Sequence, residues 1–259
     1  EGDFLKIISK IFRDYIERIE ETGEDDFSGL LSRAIEKIKS GIYQFQKKKH
    51  VGNLKTLKYI LIDEFQDFSE LFYKGIKEIK TLNHNAKFFC VGDDWQAING
   101  FAGSDLNYFL SQSQYFDNSK SLQIQTNYRS TTKIVDSGNQ LMQGKGVLAE
   151  YNTRELGSLE LVDLKSFEPS TTERHKFKDQ LLVPAILRII HQLLNNGKTV
   201  AVLSRTNSVP WYIGKLDRDL DTFFEALKKF FSDSALKNLI FSTVHGFKGQ
   251  QSDAVIILD

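Results

Sequence analysis

Short apolar runs that break off into polar or acidic clusters, with helical spacing between them, confine this chain to a layered α/β fold. In the clearest run, Tyr59-Ile60-Leu61-Ile62 delivers Asp63-Glu64, and in a second Phe88-Phe89-Cys90-Val91 delivers Gly92-Asp93-Asp94. Further strands are expected at 122–125, 159–164, 200–203, 239–243 and 254–258, and helices over 70–81, 106–110, 131–143 and 181–194. Apolar, β-branched strands alternating with helices belong in parallel sheets covered by helices. Upstream, Leu5, Ile8, Ile11, Phe12, Tyr15, Ile16 and Ile19 fall at helical spacing over 3–20, and residues 28–46 repeat that pattern after an acidic patch. A basic loop, Lys47-Lys48-Lys49-His50, precedes the α/β part.

With 259 residues, 41% of them hydrophobic, the chain has enough apolar side chain for a sizeable core. Lys and Arg number 34, as do Asp and Glu, so no bulk charge announces a polyanion partner and any nucleic-acid surface has to be local. Most of the 20 Phe, 9 Tyr and 2 Trp are expected in the core, with some left for base stacking. The single cysteine, Cys90, excludes an internal disulfide and suits a reducing cytoplasm. No apolar run reaches the roughly 18 residues of a membrane span, and no signal-peptide layout opens the chain. The chain opens on Glu1 rather than Met and closes directly after a strand-like run, so both ends are expected to be cuts from something longer.

Asp63 and Glu64 sit where a strand ends, the place α/β sheets put their sites. In a nucleotide hydrolase the Asp would hold the Mg²⁺ shell and the Glu would orient and deprotonate water. On the residues alone, an Asp that caps the following helix is the competing explanation. The second run adds Gln96, whose amide offers a donor and an acceptor to a terminal phosphate, and Trp95, expected to be core. The runs at 125–130, 203–207 and 242–251 each put a cation beside hydroxyl or amide groups, a phosphate-contacting chemistry that taken singly also describes a solvated loop. Asn196-Gly197-Lys198-Thr199 imitates the end of a P-loop, but Gln192 stands where its first glycine is required and the segment leads from helix to strand. It is expected to be a C-capping turn.

Taken in order, these runs resemble the motifs of the UvrD/Rep-type superfamily 1 helicases, with wording similar to the bacterial DNA helicase IV branch. Asp63-Glu64-Phe65-Gln66-Asp67 resembles motif II, the run 91–98 motif III, Asn127-Tyr128-Arg129-Ser130 motif IV, 201–207 motif IVa and 243–251 motif V. Asp26-Phe27 with Leu30 is similar to the family's segment ahead of motif II. The resemblance implies a 3′-to-5′ translocase on single-stranded DNA or 3′-tailed DNA, built from two RecA-like P-loop NTPase lobes that hold ATP and Mg²⁺. By position, it implies Asp63 and Glu64 at the metal, Glu64 as base, Gln96 as γ-phosphate sensor and Arg129 as an arginine finger from the second lobe. It places Tyr128 on the adenine, Gln251 at the ribose, and Lys248 and Gly249 with the nucleotide. Arg205, Asn207, Thr243 and His245 would contact the DNA strand, and Phe101 would stack a base.

Two departures from the family pattern stand out. Ala102 follows Phe101 where many relatives carry arginine, and neither a Walker A segment nor a motif VI occurs within residues 1–259. The expected layout is a helical appendage at 1–50, an incomplete first lobe at 51–118 and a second lobe at 119–259. The first lobe's sheet is expected to show an unpaired edge, looser packing or a compensating neighbour. The fragment itself is expected to be inactive. Two other readings compete: a binding or scaffolding module without turnover, and a metal-dependent nuclease using Asp63, Glu64, Asp67, Asp93 and Asp94.

Overall fold

The computed structural model describes residues 2–163, 167–177, 180, 182–210, 213 and 219–258. The chain divides into two compact units, Glu1–Ser158 and Leu159–Asp259. Among the described residues no helix is long and apolar enough to cross a membrane.

The first unit opens with α1 (Gly2–Thr22), which ends ahead of Gly23 at positive φ, and α2 (Phe27–Lys39). Asp26 starts α2 by accepting from Gly29 N at 2.6 Å, and the Tyr15 hydroxyl donates to its other oxygen at 2.8 Å, which ties the two helices together. Those two donors hold the Asp26 carboxyl below its ordinary range. The helix expected to run on to 46 stops at Lys39; Gly41 takes a left-handed φ of 91° and the chain turns into a hairpin of β1 (Gln44–Lys47) and β2 (His50–Asn53). Apolar Ile42 and Phe45 extend the helical spacing in sequence, but glycine at C′ ends a helix more decisively than spacing continues it.

Next, β3 (Tyr59–Ile62) leads to α3 (Glu70–Leu82), β4 (Lys87–Cys90) and the short α4 (Asn107–Leu110). The β3 and β4 strands pair in parallel, Tyr59 opposite Lys87 through Ile62 opposite Cys90. Ile62, Phe88 and Cys90 face an aromatic core of Phe65, Phe68, Tyr108 and Phe116, and burial pushes the Cys90 thiol upward. The opposite face is bare: Leu61 is 74% exposed and Phe89 63%. Among the described residues both strands pair only with each other, and the sheet is covered on one face, whereas parallel sheets are ordinarily covered on both.

Beyond α4 come β5 (Thr126–Asn127), α5 (Thr132–Leu141) and β6 (Glu150–Tyr151), with β5 and β6 parallel. The strands expected at 122–125 and 159–164 do not form over the described residues: Leu122 is 91% exposed and Leu161 fully so, and Leu164 lies outside them. A run without a ladder partner gains nothing from β-propensity. By their contacts, residues 119–158 group with the first unit. A visible cause is the Trp95 indole N–H, which donates to Lys145 O at 2.9 Å.

The second unit contains α6 (Thr171–Lys176), α7 (Val183–Asn195), β7 (Val200–Ser204), α8 (Leu220–Lys228), α9 (Asp233–Leu236), β8 (Leu239–Thr243), α10 (Val244–Phe247) and β9 (Ala254–Leu258). The predicted helix at 181–194 is α7, with Leu181 outside the described residues. The three strands make a parallel sheet in the order β8-β7-β9. Central β7 is buried throughout and packs Val200 and Val202 against Ile186 and Ile190 of α7 and Phe224 and Leu227 of α8. Gly197, at φ 74°, caps α7 by donating to Leu194 O, which makes the P-loop look-alike the C-capping turn expected of it.

Ahead of α7, Ser170 and Glu173 form a capping box, and Arg188 of α7 grips the Glu173 carboxylate with Nη2 at 2.6 Å and Nε at 3.2 Å. The guanidinium and the cap donors hold Glu173 at a pKa of about 2, against an ordinary 4.5. Its contribution to stability is therefore complete above pH 4.5 and is lost as pH falls towards 2, because the unfolded chain takes up the proton first. Thermal unfolding of the chain between pH 5 and 2 should show a steeper acid loss than in Glu173→Gln; equal slopes would mean the grip is absent in solution.

Candidate functional site

At the end of β3 the backbone leaves the extended region. Glu64 adopts a left-handed conformation, φ 51° and ψ 43°, which costs a non-glycine residue about 1–2 kcal/mol. Asp63 braces the bend, its Oδ1 accepting from Glu64 N at 2.9 Å. It does not cap α3, since Ser69 does so by accepting from Phe72 N. The bend directs a tight helical turn, Phe65–Asp67, into the aromatic core while Asp63 and Glu64 stay exposed.

Buried in that turn, Gln66 is 1% exposed. Its Nε2 donates to Glu64 Oε2 at 2.5 Å, and its Oε1 accepts from Asp93 N, just past β4, at 3.0 Å. Gly92 makes room for it: a Cβ there would lie 2.6 Å from Gln66 Oε1 and 2.9 Å from the Phe109 ring. Asp93 then turns the chain, Oδ1 accepting from Trp95 N at 3.1 Å and Oδ2 from Gln96 Nε2 at 2.8 Å. Three of the expected site residues, Asp63, Glu64 and Gln96, are thus joined at one end of two parallel strands through Gln66, which had no assigned role, and Asp93, which had one only among the acids of the nuclease reading. The signal for Gln66 was its setting, an amide between Phe65 and Phe68 that burial obliges to find partners.

Trp95, expected in the core, is only half-buried, and its indole N–H donates to Lys145 O. Phe101 is 82% exposed in a tight turn, Gly100–Ala102. Asn127 ends β5, and its Oδ1 accepts from the backbone N–H groups of Arg129 and Ser130, which presents Tyr128 and Arg129 to solvent. Among the described residues neither side chain is hydrogen-bonded to the Asp63–Gln96 group, although all share the first unit.

In the second unit, Ser204 of β7 lies opposite Thr243 of β8, so the loops that follow leave the sheet at the same end. Arg205 and Asn207 are exposed in one loop; Thr243 accepts from Gly246 N at 3.1 Å to start α10, which carries exposed His245. Lys248 and Gly249, the latter at φ 79°, lead to exposed Gln251.

Exposed carboxylates on adjacent residues suit Mg²⁺, which takes one or two from protein and fills its shell with phosphate oxygens and water. Among the described residues no three His, Cys, Asp or Glu side chains converge as a metal site. The five-acid, two-metal cluster of a nuclease requires such convergence.

The family model described as UvrD/REP helicase N-terminal domain matches residues 1–117. DNA helicase IV of Escherichia coli (strain K12) is 24% identical over 255 residues, which cover 98% of this chain and 32% of that protein. The putative ATP-dependent DNA helicase YjcD of Bacillus subtilis (strain 168) is 27% identical over 214 residues, 80% of this chain and 26% of that protein. DNA helicase II of Escherichia coli (strain K12) is 30% identical over 136 residues, 52% of this chain and 18% of that protein. The chain spans about a third or less of the length of these relatives. Over residues 1–117 the chain is similar to the UvrD/REP helicase N-terminal domain, and the hydrogen-bonded group at the ends of β3 and β4 lies inside that matched region.

Proposed function

We propose that this chain is part of the motor of an ATP-dependent helicase that moves 3′ to 5′ on single-stranded DNA, with the encoded full-length protein as the active species. The observation that carries the reading is the hydrogen-bonded group of Glu64, Gln66, Asp93 and Gln96 at the ends of β3 and β4. It sets a carboxylate for water beside an amide for phosphate, and a scaffolding module has no use for a strained, exposed Glu64 in that position.

In this reading Asp63 and Glu64 hold Mg²⁺, which when bound neutralises charge on the phosphates. Glu64 orients and deprotonates the attacking water, Gln96 hydrogen-bonds the terminal phosphate, and Arg129 stabilises the charge that builds on it. Tyr128 stacks on adenine, and Gln251, Lys248 and Gly249 complete the nucleotide contacts. Assignment by motif places the first RecA-like lobe at 51–118, behind an appendage at 1–50, and the second at 119–259; the contacts group 119–158 with the former. The single cysteine fits a cytoplasmic protein.

Arg205, Asn207, Thr243 and His245 form the DNA track, with Phe101 as a stacking platform. Titrating the chain with labelled single strands at several salt concentrations tests this. Arg205→Ala should weaken binding to all sequences alike and lower the salt slope by about 0.7, the loss of one phosphate contact. A sequence-selective loss, or an unchanged slope, contradicts a phosphate contact.

A further inference from the structure

The geometry points to Gln66 and Asp93 as positioning residues that hold the Glu64 carboxylate and the Gln96 amide in fixed relation, so that water and phosphate are addressed by one rigid unit. This rests on the ATP-hydrolysing reading above and names the parts of that site which the motif comparison left without a role. Gln66 is 1% exposed, and a buried amide left unpaired costs about 1–3 kcal/mol. Its orientation is unambiguous: a carboxylate at one end can only accept, and a backbone N–H at the other can only donate. Each side of the amide therefore has one fit, and the β3 and β4 loops cannot slide past each other without breaking the bond from Asp93 N to Gln66 Oε1. Glycine at position 92 lets the backbone pass this close, since a Cβ there would press on the Gln66 side-chain amide oxygen. Asp93 passes the constraint on, its carboxylate held by Trp95 N and gripping Gln96 Nε2. Glu64 Oε2 is thereby engaged by Gln66, which leaves the second carboxylate oxygen for water.

The substitution that separates positioning from mere packing is Gln66→Glu. It keeps the size of the side chain and the acceptor for Asp93 N, but sets a second carboxyl against Glu64. That replaces the donor holding Glu64 with a group that repels it, while the residues assigned to the phosphates are unchanged. In the encoded full-length protein, kcat for ATP at pH 7 should fall about tenfold or more, with KM for ATP within about twofold. A wild-type kcat in Gln66→Glu, where wild type hydrolyses ATP and Glu64→Gln does not, overturns the positioning role and leaves the hydrolase reading intact. Absence of hydrolysis in wild type overturns that reading, and the positioning role with it. A measurement independent of folding in Gln66→Glu uses the ¹⁵N-labelled chain with Glu64→Ala, a change at an exposed residue. Loss of the acceptor should shift the Gln66 side-chain amide protons upfield; an unchanged resonance overturns the bond.

Discussion

Glu64→Gln in the encoded full-length protein is expected to keep nucleotide binding and lose hydrolysis by about 10²–10⁴-fold, the usual cost of removing a general base. The expectation follows from where the fold puts this carboxylate. It stands exposed at the end of β3, on a left-handed backbone that other L-residues avoid, with one oxygen held by a buried amide. Glutamine preserves the volume and can still accept from Gln66, so the loop should hold its shape while the base is gone. Single-turnover phosphate release alongside fluorescent-nucleotide titration separates the two quantities. Near-normal hydrolysis would mean another group positions the water; a parallel loss of binding would mean Glu64 serves the metal more than the water.

The second large effect concerns the 259-residue chain by itself. Tight grip on a nucleotide triphosphate ordinarily comes from successive backbone N–H groups at a helix N-terminus together with a lysine. Within residues 1–259 the sequence G-x-x-x-x-G-K-[ST] does not occur, and the segment that imitates it caps the C-terminus of α7. The remaining contacts are a tyrosine face, amides, an arginine and the Lys248 segment. Stacking on Tyr128, as proposed, would contribute about 1–3 kcal/mol by analogy with base–aromatic stacking, while a dissociation constant of 1 mM already requires about 4 kcal/mol. Calorimetry on this chain should therefore show no saturation by Mg·ATP at millimolar concentration and no heat of hydrolysis. Micromolar affinity would mean that a segment of this chain cradles the phosphates after all.

Much of the site was legible because its strands are marked twice, by an apolar run and by the acids that end it. Residues 59–64 and 88–94 carry both marks, and both formed strands in parallel register. The runs at 122–125 and 159–163 carry only the first mark and stayed irregular, since a strand exists through its ladder and no neighbour supplies one there. Gln66 was hidden for a related reason. Its partners are Glu64, two residues away, and the N–H of Asp93, which only the pairing of β3 with β4 brings within reach. The boundary after Ser158 likewise depends on tertiary contacts such as Trp95 to Lys145, invisible to a reading that looks for loss of periodicity. The sheet of the first lobe was expected to show an unpaired edge, looser packing or a compensating neighbour; among the described residues β3 and β4 pair with each other alone, and Leu61 and Phe89 lie bare on one face.

The measurement that bears most directly on the account is ATP-driven unwinding by the encoded full-length protein, compared on duplexes with a 3′ or a 5′ single-stranded tail. The account predicts strand separation on the 3′-tailed duplex, none without ATP and none with Glu64→Gln. Unwinding confined to the 5′ tail, or none on either despite DNA binding, would contradict it.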